Sequence, residues 1–182
     1  MDIFKRRGIS REDILLVFAA CVFPVFIWSF YNLLNVVPAF VLRLNVSELI
    51  GTSAYVLAYA LVESIVFFLA LFIIMFLLAL ILPKKLWGDH FVAIGSMLAI
   101  LISAVAMYVQ LNYDRVLKLS LKRTLFDLGL VGLAFVIYYV LILTFPRFES
   151  AIRSVVRGVS VLSIVYAFLG CLSILIIFFR NI

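Results

Sequence analysis

Glu63 is the residue of the sequence best suited to chemistry, because it is the one charge in the longest apolar stretch, Ser53–Leu82. Thr52, Tyr55 and Tyr59 precede it at intervals of three or four residues, and a helix places residues so spaced along one side. We therefore predict an intramembrane polar stripe that points into a helix bundle. A carboxylate inside a membrane costs at least about 2.5 kcal/mol, so Glu63 is a candidate proton or ion site, or a lining for a lipid head group. A structural hydrogen bond to another helix is the interpretation that we favour.

Other polar residues near apolar stretches occur singly or in pairs. Asp89 and His90 adjoin, and such a pair can transfer protons or supply an axial ligand to haem or chlorophyll, but an interfacial loop is the favoured interpretation. Asp127 lies near the start of an apolar stretch, where the helix dipole favours an anion. Asn32 and Asn35 are predicted to bond across helices or to cap a helix end. We predict no cofactor and no metal site, since zinc sites draw on several His or Cys ligands and His90 is the only histidine.

The composition is that of a membrane protein. The 182 residues are 68% hydrophobic and 13% charged, with a mean hydropathy of +1.32, whereas soluble domains are about half apolar and about a quarter charged. The net charge of +6 is then expected to hold basic loops against anionic lipid rather than to bind nucleic acid. Cys21 and Cys171 lie in apolar runs and are interpreted as buried hydrophobic residues without a disulfide.

The fold predicted from these features is an all-α polytopic membrane helical bundle that forms a single transmembrane domain over residues 1–182. A span needs roughly 20 apolar residues. The five predicted spans are 14–36, 53–82, 91–111, 125–145 and 158–179. Ser10 and Asp13 have the spacing of a capping box that opens the first helix. Residues 37–52 are predicted to form a loop with a short interfacial helix, or a re-entrant segment.

Two further patterns concern helix packing and the membrane surface. Gly95, Ala99 and Ser103 recur every four residues, so they present small side chains where another helix backbone can approach. Two segments, 112–124 and 147–157, are basic and amphipathic and are predicted to lie at the membrane surface. Their basic residues are candidates for contact with anionic lipids or an acidic partner surface: Arg115, Lys118, Lys122, Arg123, Arg147, Arg153 and Arg157.

The distribution of basic residues determines the predicted orientation. With five spans and a cytoplasmic N-terminus, nine of the 15 Lys and Arg residues fall in cytoplasmic segments, and membrane proteins keep loops rich in Lys and Arg inside. We therefore predict a multi-pass protein of the cell membrane, with its N-terminus in the cytoplasm and its C-terminus outside.

Several short motifs in the first half of the chain resemble those of a known family. They are Pro24-Val25-Phe26 and Tyr31-Asn32 in the first span, the polar break Ser47-Glu48-Leu49, and the basic turn Pro83-Lys84-Lys85 after the second span. In these features the chain resembles the N-terminal five-span membrane domain of membrane-anchored sulfatase-like enzymes, including phosphoglycerol transferases of the lipoteichoic acid synthase type. The resemblance implies a membrane module that works beside a separate partner. It implies no catalytic residue, because that family's metal-binding, nucleophile-bearing domain is not among the 182 residues.

The function predicted from the sequence is that of a non-catalytic integral membrane subunit, or an anchor, of a larger membrane complex. It is expected to bind other membrane subunits, or further copies of itself, through its helices and basic interfacial segments. The alternative is a small transporter, channel or lipid-handling protein that uses the Glu63 stripe. A cofactor-binding subunit with His90 as an axial ligand is a third hypothesis.

Overall fold

The computed structural model describes residues 9–81, 90–112 and 121–180, and within these ranges the fold consists of helices without strands. We number the helices in chain order. They are α1 (Arg11–Val41), α2 (Val46–Ile81), α3 (Phe91–Leu111), α4 (Leu121–Thr144) and α5 (Pro146–Arg180). The predicted all-α bundle is thus confirmed.

Four of the five helices are long and apolar enough to cross a bilayer, and they are α1, α2, α3 and α5. The chain is therefore a multi-pass membrane protein. The remaining helix, α4, carries a shorter apolar stretch among the described residues, Gly129–Ile142. A fifth span at 125–145 stays a prediction.

The start of α1 follows the predicted capping box. Ser10 Oγ accepts a hydrogen bond from the Asp13 backbone N–H at 3.1 Å, and the Ser10 N–H donates to Asp13 Oδ2 at 2.9 Å. Both bonds satisfy backbone donors that a helix start leaves without a partner. The sequence signal at this position is confirmed.

The predicted loop at 37–52 is wrong, whereas re-entry of residues 37–50 into the bilayer stays a prediction. α1 continues through Pro38 to Val41, and only four residues separate it from the start of α2 at Val46. The backbone N–H of Asn45 donates to Glu48 Oε2 at 2.9 Å, a local bond that starts α2 immediately after the turn. A proline removes one helical hydrogen bond, and Pro38 lies close enough to the end of α1 for the helix to tolerate that loss.

α1 is the central helix of the bundle. It packs against α2, α3 and α5, and α2 also packs along α5. α4 lies at the periphery, with few contacts to α3 and α5. The largest buried side chains of the core come from these helices: Val17, Val22 and Phe26 of α1, Leu71 and Met75 of α2, Phe91, Val92 and Ile94 of α3, and Ile142 of α4.

Two glycines lie where helices approach most closely. A Cβ atom at Gly95 would lie 2.8 Å from Val17 Cγ2 and 2.9 Å from the Met75 side chain. A Cβ atom at Gly170 would lie 2.8 Å from Leu61 Cβ. Small residues permit this closeness between membrane helices, and Gly95 lies at such a close approach.

The basic segment 147–157 is not a separate interfacial element. It forms the first turns of α5, which begins at Pro146 directly after α4 ends. Proline is favoured in the first helical turn, because its missing N–H has no intrahelical partner there. α5 is about 52 Å long at 1.5 Å per residue, so it carries the basic residues and the apolar span in one helix.

Successive helices run in opposite directions along the bundle, so the ends of different helices meet at its two ends. Asp13 near the start of α1 meets Arg153 near the start of α5, beside the start of α3. We call this the proximal end. At the distal end, the Arg180 guanidinium at the end of α5 occupies the space beside Gly51 that a Cβ atom would fill.

Candidate functional site

The predicted polar stripe on α2 does not point into the bundle. Thr52 is half-buried, Tyr55 and Glu63 are exposed, and Tyr59 is 72% exposed. α2 instead buries small and aliphatic residues against α1 and α5: Ala54, Ala58, Ala60, Leu61 and Ser64. The prediction failed because α2 is apolar on all sides, so its sequence lacks the polarity contrast that reveals an inward face.

Glu63 lies instead at the side of the bundle, where α1, α2 and α3 border a cavity. Toward the distal end the lining is polar. We call this part the polar groove, and its volume is about 640 Å³. Its lining residues are Trp28, Ser29, Tyr31, Asn32, Asn35, Glu63, Gln110 and Leu111.

A second part of the cavity continues from Glu63 toward the proximal end. This apolar crevice has a volume of about 150 Å³. It is lined by Pro24, Val25, Trp28, Glu63, Phe67, Ile102, Ser103, Ala106, Met107 and Gln110. Trp28, Glu63 and Gln110 line both parts, so the groove and the crevice form one amphipathic cavity with the carboxylate at their junction.

The unequal lengths of the helices explain the cavity. α3 has 21 residues, whereas α1 has 31 and α2 has 36. The buried residues of α3 all lie between Phe91 and Ala99, and its second half consists of half-buried and exposed residues. Beyond Asn32, α1 continues for about 14 Å at 1.5 Å per residue, so the distal part of the α1–α2 pair is not covered by α3.

The carboxylate and amide side chains of the groove lack hydrogen-bond and ion-pair partners among the described residues. Within the described part of the chain, no hydrogen bond or ion pair is made by the side chains of Glu63, Asn32, Asn35 or Gln110. Ser64, one residue after Glu63, shows the opposite behaviour, because its hydroxyl donates to the Ala60 carbonyl at 2.7 Å. A carboxylate and three amides offer both acceptors and donors, and they are available to a ligand.

The lining is acidic and aromatic. Glu63 is the one charged residue among the described residues that border the groove and the crevice, and none of them is basic. Trp28 and Tyr31 lie beside it as a stacked pair, with ring centroids 5.6 Å apart and planes at 24°. A negative charge next to aromatic faces favours a positively charged ligand group.

A second group of charges lies at the proximal end and is satisfied internally. His90 Nδ1–H donates to Glu149 Oε2 at 2.7 Å, and Arg153 Nε–H donates to Glu149 Oε1 at 3.2 Å. Arg153 Nη1 also lies 3.7 Å from Asp13 Oδ1. We call these four residues the ion-pair network. A peripheral pair joins Arg157 to Glu12 at 3.5 Å.

The network changes the interpretation of several predicted site residues. Arg153 and Arg157, predicted to contact lipids or a partner, are paired with acidic residues of the chain itself, while Arg147 is exposed. Lys122 and Arg123 lie in the first turn of α4. Arg115 and Lys118 fall outside the described residues.

His90 is tied to Glu149 at one ring nitrogen, across 59 positions of sequence. Among the residues that the structure describes, no group of three His, Cys, Asp or Glu side chains is placed to hold a metal ion. Asp89, its predicted companion, lies outside the described residues. The structure therefore gives His90 a structural contact, and its role as a cofactor ligand stays a hypothesis.

The remaining predictions have mixed outcomes. Ala99 is buried beside Gly95 as predicted, but Ser103, four residues on, lines the apolar crevice. Asn32 and Asn35 were expected to bond across helices or to cap a helix end, and they line the groove instead. Sequence reasoning did not find Trp28, Ser29 and Gln110 as neighbours of Glu63. Their types are common in loops and interfaces, so only their meeting across three helices distinguishes them.

The comparisons with known proteins do not extend this description. No family model, curated protein or solved structure matches the chain. The resemblance to the membrane domain of sulfatase-like enzymes stays a prediction.

Proposed function

We propose that the chain is a non-catalytic subunit or anchor of a membrane complex, and that it joins another membrane protein through α4. The observation that carries this proposal is the one-sided packing of α4. One face is held by the Tyr138 hydroxyl, which donates to the Ala93 carbonyl at 3.2 Å, and by the contact of the Tyr138 ring with Phe148. The other face is exposed between residues 130 and 140: Leu130, Leu133, Val136, Ile137 and Val140.

Two glycines give that exposed face a preference for protein over lipid. A Cβ atom at Gly129 or Gly132 would meet nothing within 4 Å. Exposed aliphatic residues in a membrane are satisfied by lipid tails, but glycines allow a second helix backbone to approach closely. A transmembrane helix of a partner, or α4 of a second copy, therefore gains more from this face than lipid does.

We further propose that the protein lies in the cell membrane with its proximal end in the cytoplasm. The support is the excess of Lys and Arg in the segments that this orientation places inside. The exposed Arg147 at the start of α5 would then face the anionic cytoplasmic leaflet.

Co-purification from native membranes tests the subunit proposal. We expect the tagged chain to retain a stoichiometric membrane partner or a second copy of itself, and Gly129→Ile with Gly132→Ile to release it. The matched control is Leu133→Ile on the same helix, which keeps the exposed face aliphatic. Recovery of the 20.6 kDa chain alone, from wild type and variant alike, would contradict the proposal.

A second candidate function is lipid handling at Glu63, and the shape of the cavity favours it over a channel or transporter. On α1 the crevice extends to Pro24 and Val25, and it shares Pro24, Ser103 and Met107 with an apolar cavity against α5. Closer to the proximal end, the space between α1 and α3 is filled by packed core residues, among them Val17, Phe91 and Ile94. A cavity that opens at the side and is closed at one end suits a bound amphiphile better than a path for ions.

A further inference from the structure

We infer that the polar groove and the apolar crevice form a binding site for an amphiphile with an ammonium head group, whose apolar chain lies in the crevice. This inference deepens the lipid-handling candidate and rests on it. The shared chemistry is a positive nitrogen carried on an aliphatic chain. Its two sources are an aminophospholipid of the bilayer, such as phosphatidylethanolamine, and a single-chain alkylammonium that enters from solution.

Glu63 is a carboxylate without a counter-charge among the described residues. An intramembrane carboxylate normally has a partner inside the protein or lines a water-filled path, and Glu63 has neither a hydrogen bond nor an ion pair among the described residues. The described lining supplies no basic side chain that would compensate it. The missing counter-charge is therefore expected from a ligand, and an ammonium group is the counter-charge that lipids carry.

The other residues that line the groove also suit an ammonium group. Trp28 and Tyr31 present stacked rings beside Glu63, and tryptophan is the strongest aromatic partner of a cation. Ammonium hydrogens need acceptors, and the side-chain oxygens of Asn32, Asn35 and Gln110 supply neutral ones. An anionic head group would meet Glu63 without a basic residue to offset the repulsion, so the lining selects against it.

The apolar crevice distinguishes an amphiphile from a bare cation or a partner helix. It begins at Glu63 and is lined by Val25, Phe67, Ile102 and Met107, so a chain attached to the ammonium group finds an apolar surface. Its volume of about 150 Å³ is too narrow for a helix, whose diameter with side chains is about 10 Å. A single aliphatic chain fits such a space.

Quenching of Trp28 fluorescence tests the inference directly. Trp28 and Trp87 are the two tryptophans of the chain, so the full-length Trp87→Phe protein leaves Trp28 as the reporter. The protein is placed in uncharged detergent micelles and mixed with phosphatidylethanolamine or phosphatidylglycerol that carries brominated acyl chains. We expect phosphatidylethanolamine to quench at about tenfold lower concentration, the preference of one ion pair combined with a cation–π contact.

Matched variants separate the head-group site from the chain site. Glu63→Gln is expected to abolish the preference between the two lipids, whereas Asp127→Asn, the same change on α4, keeps it. Ala106→Phe fills the crevice and is expected to remove quenching by both lipids. Its control is Ala104→Phe, also on α3, because Ala104 lines the apolar cavity against α5 and does not line the crevice.

Competition identifies the source of the ligand without any further variant. Dodecylammonium is expected to relieve quenching, and dodecyl sulfate is not. A change of Trp28 fluorescence on addition of dodecylammonium alone, without any quenching by phosphatidylethanolamine, would support the ammonium site and assign it to a soluble amphiphile.

Two results would overturn the inference, and they differ in what they leave standing. Equal quenching by both lipids that Ala106→Phe removes would reject the ammonium selectivity and retain a lipid-handling cavity. Absence of quenching by either lipid, together with no effect of dodecylammonium, would reject the lipid-handling candidate as well.

Discussion

The proximal ion-pair network and the distal polar groove both place a glutamate among apolar helices, yet their surroundings differ. Glu149 in the network is 16% exposed and has His90 and Arg153 as partners. Glu63 in the groove is exposed and has no partner in the described chain. A glutamate with internal partners is compensated within the fold, whereas one without them is not. The two ends of the bundle thus differ in whether their glutamate has a counter-charge in the described chain.

The packing of α3 also differs between the proximal end and the distal side. The first residues of α3, Phe91 to Ser96, are all buried, whereas its second half borders the open cavity. Four predictions test this contrast between a closed proximal end and an open distal side.

The largest effect is expected from filling the closed end. Gly95→Leu forces a side chain into space already occupied by Val17 and Met75, whose atoms lie 2.8–2.9 Å from the position of a Cβ. Overpacking of this kind destabilises by about 3 kcal/mol, measured by denaturant unfolding in detergent. Gly158→Leu is the control, because a Cβ there meets nothing within 4 Å. Equal losses of stability in the two variants would contradict the contrast in packing.

Removal of the network glutamate is expected to have the next largest effect. Glu149→Ala leaves His90 and Arg153 without their acceptor, at side-chain exposures of 17% and 34%. Loss of hydrogen bonds to a charged group of this kind costs about 2 kcal/mol. Glu149→Gln keeps one acceptor and should recover part of the loss. Thermal unfolding that is unchanged in Glu149→Ala would show that the network does not hold the proximal end together.

Substitution of Glu63 is expected to change stability in the opposite direction from substitution of Glu149. Glu63→Leu removes a carboxylate without a partner and should stabilise the ligand-free protein by about 1 kcal/mol. Glu149→Leu provides the comparison, since it should destabilise. If Glu63→Leu lowers the unfolding temperature as well, Glu63 has a structural partner, and the sequence-based preference for a structural hydrogen bond would be correct.

The smallest effect is expected at the peripheral pair. Glu12 is 70% exposed and lies 3.5 Å from Arg157, so Glu12→Ala should change stability by less than about 0.5 kcal/mol. Salt screens exposed pairs, so the difference from wild type should vanish at high ionic strength. A loss as large as that of Glu149→Ala would extend the network to this pair.

The sequence by itself determined the class of protein and most of the helices. Apolar length predicted the four helices that are long and apolar enough to cross a bilayer, and Ser10 with Asp13 predicted the start of α1. These signals are local: a span follows from consecutive apolar residues and a cap from two side chains three positions apart. The long α1 and α5 were missed because Pro38 and the basic residues at 147–157 suggested breaks, and the flanking helices continue through both.

Tertiary structure alone decided which residues meet. In water, an amphipathic pattern marks the inward face of a helix, but α2 is apolar all round, and lipid and protein interior are equally apolar to it. Its sequence therefore did not show that Tyr59 faces outward, nor that Glu63 borders a groove with Asn32 and Gln110. The pairing of His90 with Glu149 likewise depends on α3 and α5 starting at the same end. Contacts between helices depend on the helix lengths and on the close packing that small residues such as Gly95 and Gly170 permit.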